Sequence, residues 1–269
     1  MNKYTKKQIK IALVYILILA IISTGIFLII SSKGPSCNDK IQNQGEEGVD
    51  CGGPCPPCPW QLQKPVEVIF VKAFSTQENY VDLVAKIRNP NKEFGIKSFD
   101  YIFKLYDLDN NLIATKEGTS YLLPQKTKYI ISQRNLVNSK ISRIDFEIKN
   151  VQWQQLSEYQ EPEFLIKNIN LDQDEKGARL SGNLENRSSY NFAEVDIYAV
   201  LKNKNSEIVA VSKHKLYTVL SQELRYFELN WPFPLSEEIE ELEILAETNV
   251  FENTNFIKEY QRKEREYYR

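Results

Sequence analysis

In 269 residues the chain holds one histidine, one methionine, ten glycines and four cysteines. Each shortage excludes something. With His214 as the sole imidazole, most of the usual routes to proton transfer and zinc catalysis are closed. It sits in Ser212-Lys213-His214-Lys215-Leu216 without a neighbouring carboxylate to orient it, so it reads as a strand residue rather than a base. No G-x-S-x-G, H-E-x-x-H or phosphate-cradling glycine-rich loop occurs. An excess of one charge is missing too. The 34 Lys and Arg against 36 Asp and Glu leave a net charge of -2, which gives no electrostatic reason to expect nucleic acid. The sequence therefore predicts no catalytic residue, no resident metal and no cofactor.

What the chain has instead is aromatics, with fifteen Tyr and thirteen Phe, a mix that favours pleated, half-buried surfaces. It also has one long apolar run. Ile11 to Ile30, IALVYILILAIISTGIFLII, carries no charge, and at ~1.5 Å of rise per residue it is long enough for a hydrocarbon core about 30 Å thick. The run is longer than a cleaved signal's apolar stretch, lacks an A-x-A ending, and has no Leu placed for a lipoprotein signal before Cys37. Lys3, Lys6, Lys7 and Lys10 precede it, against Lys33 and Lys40 after it, so the positive-inside rule predicts a cytoplasmic tail over 1–10 and a transmembrane helix over 11–31. The rest of the chain is expected outside the cytoplasm.

All four cysteines, Cys37, Cys51, Cys55 and Cys58, fall in one window too polar and too rich in Gly and Pro to build its own core. Two disulfides or a zinc knuckle would hold such a collar, placed here at 33–60. Export favours the disulfides, with three pairings open, one of which closes the Cys37 to Cys51 loop. A redox role for Cys55-Pro-Pro-Cys58 is opposed by the flanking prolines and Gly52-Gly53, which discourage the helix such sites begin. Asp39, Glu46, Glu47 and Asp50 could ligate calcium, but their order does not match an EF-hand loop, and solvated carboxylates are the reading preferred.

Beyond the Pro-rich exit at Pro54 to Pro65 apolar residues alternate. Val81, Leu83, Ala85 and Ile87 form one such run, Phe99, Tyr101, Phe103 and Leu105 a second, and Ile144, Phe146 and Ile148 a third. Asp107 to Asn111 reads as a turn. The pattern then recurs at an offset of about 97 residues. Ile87-Arg88-Asn89-Pro90-Asn91 answers to Leu184-Glu185-Asn186-Arg187-Ser188, Phe99-Asp100-Tyr101 to Val195-Asp196-Ile197, and Leu112-Ile113-Ala114 to Ile208-Val209-Ala210. The fold expected is all-β, two tandem antiparallel β-sandwiches at 65–155 and 163–255, joined end to end by a short polar linker from Gln154 to Pro162. Trp153 and Trp231 are expected in the core or between the domains. The run Glu237-Glu238-x-Glu240-Glu241 reads as a solvated edge, and 256–269 as a charged tail, helical or disordered, with some promise as a docking segment.

Two resemblances follow from these residues. The pattern C-x-D-x-I-Q-N-Q-G-E-x-G-V-D-C-G-G-P-C-x-x-C from Cys37 to Cys58 resembles a short cysteine motif of exported microbial proteins, which implies a stabilised extracytoplasmic collar and no activity. Ile87-Arg-Asn-Pro-Asn, Phe99-Asp-Tyr-x-Phe-x-Leu-Tyr106-Asp and Leu112-Ile-Ala resemble the late-embryogenesis-abundant, water-stress type of β-sandwich domain and the related FxLYD type. The likeness covers Val66 to Val151 and, more weakly, Phe164 to Phe251, where Arg187 replaces Pro90 and Lys202-Asn203 the Tyr-Asp pair. It implies immunoglobulin-like, seven-stranded sandwiches without a shared catalytic site. Together these readings predict a membrane-anchored scaffold or binding protein with a protein or glycan partner; its oligomeric state stays open. A carboxylate-dependent hydrolase and a part of a pilus or secretion apparatus are the alternatives. A deep pocket with converging carboxylates would favour the hydrolase.

Overall fold

The computed structural model describes residues 3–31, 36–77, 79–156, 159–235 and 237–259. The chain divides into two compact units, Met1–Leu62 and Gln63–Arg269.

The first unit holds helix α1 (Lys3–Ser31) and the cysteine collar. Within α1 an unbroken run of side chains is described from 10 to 26, and among the described residues no helix is long and apolar enough to cross a membrane. The span expected over 11–31 reaches past that run. In the collar Cys37 pairs with Cys55 and Cys51 with Cys58, so the Cys37 to Cys51 closure is not the one used. On the loop-entropy account, bridges spanning 18 and 7 residues stabilise by about 3 and about 2.5 kcal/mol. The collar's acidic residues are not merely solvated. Glu46 is buried, and its Oε2 accepts from the backbone N–H of Asn43 (3.2 Å) and Asp50 (3.3 Å). Asp50 Oδ1 accepts from Asp39 N (2.8 Å) and Lys40 N (3.2 Å), so in a segment with few ladder bonds carboxylates take over the acceptor role. Gly53 has φ +56°, and a Cβ there would stand 2.1 Å from the Gly45 carbonyl oxygen; the motif's glycine is dictated by backbone meeting backbone.

The second unit is mainly antiparallel sheet. Strands β1 (Glu67–Gln77), β2 (Tyr80–Arg88), β3 (Phe94–Tyr106), β4 (Leu112–Leu122), β5 (Thr127–Leu136) and β6 (Arg143–Gln155) form the first copy. Strands β7 (Phe164–Asp174), β8 (Gly177–Asn186), β9 (Phe192–Lys202), β10 (Ile208–Val219), β11 (Leu224–Trp231) and β12 (Glu241–Glu247) form the second. Four three-stranded sheets result, ordered β1-β2-β5, β4-β3-β6, β11-β8-β7 and β10-β9-β12. Adding six to each label of the first copy gives the second, so the topology is duplicated as the repeat predicts. Each copy has six strands among the described residues, not seven.

In each copy the alternating side chains close over an apolar layer. Leu83, Ile87, Phe99, Phe103, Leu122 and Ile130 lie in the first, and Leu180, Leu184, Ile197, Leu201, Leu216 and Phe227 in the second. Residues buried this way each stabilise by roughly 1.5–3 kcal/mol.

The repeat extends to individual hydrogen bonds. Asn89 and Asn186 are fully buried. Asn89 donates through Nδ2 to the carbonyls of Phe94 (2.7 Å) and Leu123 (3.2 Å) and accepts from Asn91 N (3.0 Å). Asn186 donates to Tyr190 (2.8 Å) and Leu220 (2.9 Å) and accepts from Ser188 N (3.1 Å). The predicted turn at Asp107 is built by Asp107 Oδ1 accepting from Asp109 N and Asn111 N, and Asn203 Oδ1 repeats it on Asn205 N and Glu207 N.

Candidate functional site

The two copies are not strung end to end. The outer face of β1-β2-β5 and that of β10-β9-β12 share a third apolar layer, in which Val84, Tyr129 and Ile131 meet Tyr198, Val200 and Val211, with Phe70 and Phe74 packed alongside. The linker is fastened as well. Leu156 is fully buried with Tyr121, Leu123, Val250, Phe251 and Phe256, so Phe256 belongs to the fold rather than to the charged tail placed at 256–269. A helical turn covers 254–259, and the rest of that tail lies outside the described residues.

Polar groups fix the register of this seam. Lys128, whose side chain is 1% exposed, pairs with Glu247 and lies over the rings of Tyr121 (3.8 Å to the centroid) and Tyr198 (5.3 Å). A buried ammonium is tolerated only when so partnered, because an uncompensated charge in a dry interior is costly. Tyr129 Oη donates to Glu243 Oε2 at 3.0 Å, and burial together with that bond holds the phenol well above its ordinary range. Gln133 reaches across through Nε2 to the Val211 carbonyl (3.3 Å) and accepts from Lys213 N (3.2 Å). Trp231 donates Nε1–H to the same Val211 carbonyl at 2.9 Å, while Trp153 packs half-buried on the first core.

Where the sheets part, a cleft of about 480 Å³ opens, lined among others by Lys97, Ser98, Ser120, Tyr121, Asp196 and Lys215. A smaller one of about 260 Å³ shares Thr119, Ser120, Asp196 and Lys215 with it and adds Tyr101, Tyr198 and His214. Three carboxylates, Glu194, Asp196 and Glu252, line the larger cleft. Lys215 pairs with Glu194 and lies 3.8 Å from Asp196; partial burial pulls its pKa down, but the carboxylates outweigh this and leave it raised. His214 stands exposed on β10 with Ile197 as its cross-strand partner. The four glutamates of the acidic run are exposed, as a solvated edge would be; Glu237 accepts from Asn203 Nδ2 at 2.6 Å and Glu241 pairs with Lys202 at 2.6 Å.

The seam itself escaped the sequence reading. Its signal was the unbroken apolar stretch Ile197-Tyr198-Ala199-Val200-Leu201, every residue of it buried, where a one-sided strand would alternate.

No family model matches the chain, and no curated protein matches it. Among solved structures it is similar to a glycosyl hydrolase family 2 member from Bacteroides cellulosilyticus, at 10% identity over 80% of this chain and 33% of that one, with a TM-score of 0.19. A tandem CBM22-1-CBM22-2 domain of Paenibacillus barcinonensis Xyn10C is similar at 9% identity over 68% of this chain and 83% of that one, with a TM-score of 0.12. The chain spans about a third of the hydrolase's length. At these scores neither likeness carries an argument, and the molecule is described by its own geometry: a mainly β protein of four small antiparallel sheets behind a doubly bridged collar.

Proposed function

We propose that the chain is a membrane-anchored, extracytoplasmic binding or scaffold protein that presents two fused, immunoglobulin-like β-sandwiches and performs no catalysis. The observation that carries this reading is the seam. A third apolar layer, a buried Lys128–Glu247 pair and a fastened linker turn two domains into one stiff body, which suits a display element. Membrane attachment draws support from α1, where Ile11, Leu13, Val14, Ile16, Leu17 and Leu19 are all exposed; a helix apolar on every side is penalised by water and favoured by lipid. Export draws support from the two bridges, which persist where the surroundings oxidise.

The test has two arms. A carboxyl-terminal phosphatase fusion is expected to be active outside the cytoplasm, and the chain to stay with membranes through alkaline extraction. In-cell cross-linking then captures the partner. A cytoplasmically active reporter, or turnover of a glycan or peptide by the purified chain, overturns the reading.

A further inference from the structure

The two copies differ at one end of their cores. In the first, a groove of about 590 Å³ lies between β1 and the connection 137–142. Its floor is core: Val71, Ala73, Val81, Val137, Ile141 and Ile144 line the groove and belong to the first apolar layer. The corresponding connection of the second copy, 232–240, is longer, and from it Phe233, Leu235 and Ile239 pack on the second layer. Along the repeat Val137 and Ile141 answer to Phe233 and Ile239, while the exposed Asn138, Ser139 and Lys140 hold no counterpart of Leu235. The second copy supplies apolar side chains that the first lacks.

The groove is also of one sign. Lys72, Lys140 and Arg143 line it and no carboxylate does, in a chain whose net charge is -2. Arg143 pairs with Asp145, but Lys72 and Lys140 are exposed and have no ion-pair partner among the described residues. One wall is a strand edge. β1 pairs with β2 alone, which leaves its other edge without a strand partner, and between its two register shifts the stretch from Phe70 to Ser75 is regular. An extended peptide added to such an edge gains main-chain hydrogen bonds, and neighbouring pockets take its alternate side chains.

We propose that this groove docks an extended peptide of a partner protein, one that sets apolar side chains on the floor and carboxylates against Lys72 and Lys140. The claim rests on the binding-protein reading and gives the partner a chemistry. The second copy's own filling shows the pattern: Pro232-Phe233-Pro234-Leu235 brings the apolar groups, and Glu237, Glu238, Glu240 and Glu241 follow. Its prolines alternate, so the N–H groups between them stay on one edge, where a strand can take them.

The test is fluorescence anisotropy of a labelled peptide copying 232–241, titrated with the full chain in a nonionic detergent. Saturable binding with a Kd on the order of 10–100 µM is expected. Lys72→Glu combined with Lys140→Glu should weaken it about tenfold at an unchanged thermal midpoint, and a peptide with Lys in place of each Glu should restore binding to that double variant. No saturation up to about 1 mM, or equal binding by parent and double variant, overturns the proposal. Equal binding of a peptide with Ser in place of its Phe and Leu overturns it too, because the groove is then a plain anion patch. Self-association of the chain that the double variant abolishes would assign the groove to a second copy instead. Each of these failures leaves the scaffold reading standing, since the reporter fusion and in-cell cross-linking judge that separately.

Discussion

Tyr129 and Tyr226 hold the same place in the two copies, 97 residues apart on β5 and β11, yet the first is 2% exposed and the second 59%. The difference lies in what covers them. Around Tyr129 the outward positions are Val84 and Ile131; their counterparts around Tyr226 are Ser181 and Glu228. On the other pair of sheets the asymmetry is reversed. Tyr198 and Val200 face the seam in the second copy, where the first copy carries Ile102 and Lys104, the latter paired with Glu147. The two copies thus share their inward residues and differ outward. Inward residues specify the fold, and outward ones specify what each sheet lies against.

Substitutions at matched positions test that division. The largest contrast is expected from Tyr198→Asp, which places a carboxylate in the third apolar layer and should cost about 4 kcal/mol, against about 1 kcal/mol or less for Ile102→Asp at the equivalent strand position. Urea denaturation measures both, and equal losses would dissolve the distinction. Next come Asn89→Ala and Asn186→Ala, each of which leaves buried carbonyls without donors. Both should lose roughly 2–3 kcal/mol, matched between copies because the networks match. Lys128→Ala strands Glu247 and loosens the seam for about 2 kcal/mol, splitting one unfolding transition into two, while Lys104→Ala on the free face costs under about 1 kcal/mol. Two-probe melting curves separate these outcomes.

The smallest effect concerns Asp82. Its carboxylate is buried on β2, where Oδ1 accepts from Arg134 N at 2.7 Å, and burial raises its pKa above the usual carboxylate value. The folded chain therefore binds this proton more readily than the unfolded chain does, so acid favours the fold at this site, and the contribution fades as pH rises through the raised value. Asp82→Asn keeps the acceptor without the charge. Its thermal midpoint should exceed the parent's by about 1–3 °C at pH 7, with the gap closing toward pH 4.

The inward half of this division was legible beforehand. Period-two alternation at Val81 to Ile87 and Phe99 to Leu105 placed strands and cores, and the offset near 97 found the duplication, because those signals depend only on which side chains face in. The outward half was not. An apolar outward residue looks alike whether a neighbouring sheet or solvent covers it, so an end-to-end arrangement was expected where the faces in fact meet. The collar divides in the same way. Cys37, Cys51, Cys55 and Cys58 announced two bridges, but the pairing and the inward turn of Glu46 depend on backbone geometry that spacing does not encode.

The seam joins unlike faces, the back of one copy to the front of the next. A joint of that kind has no intrinsic stop: repeated between molecules it would grow a filament. What ends the stack after two copies is written on the remaining faces, where Lys104, Glu147 and Lys149 close one side and Arg179, Asp172, Lys167 and Glu185 the other. Mutual ion pairing leaves those two faces as polar as the terminal repeats of longer solenoids.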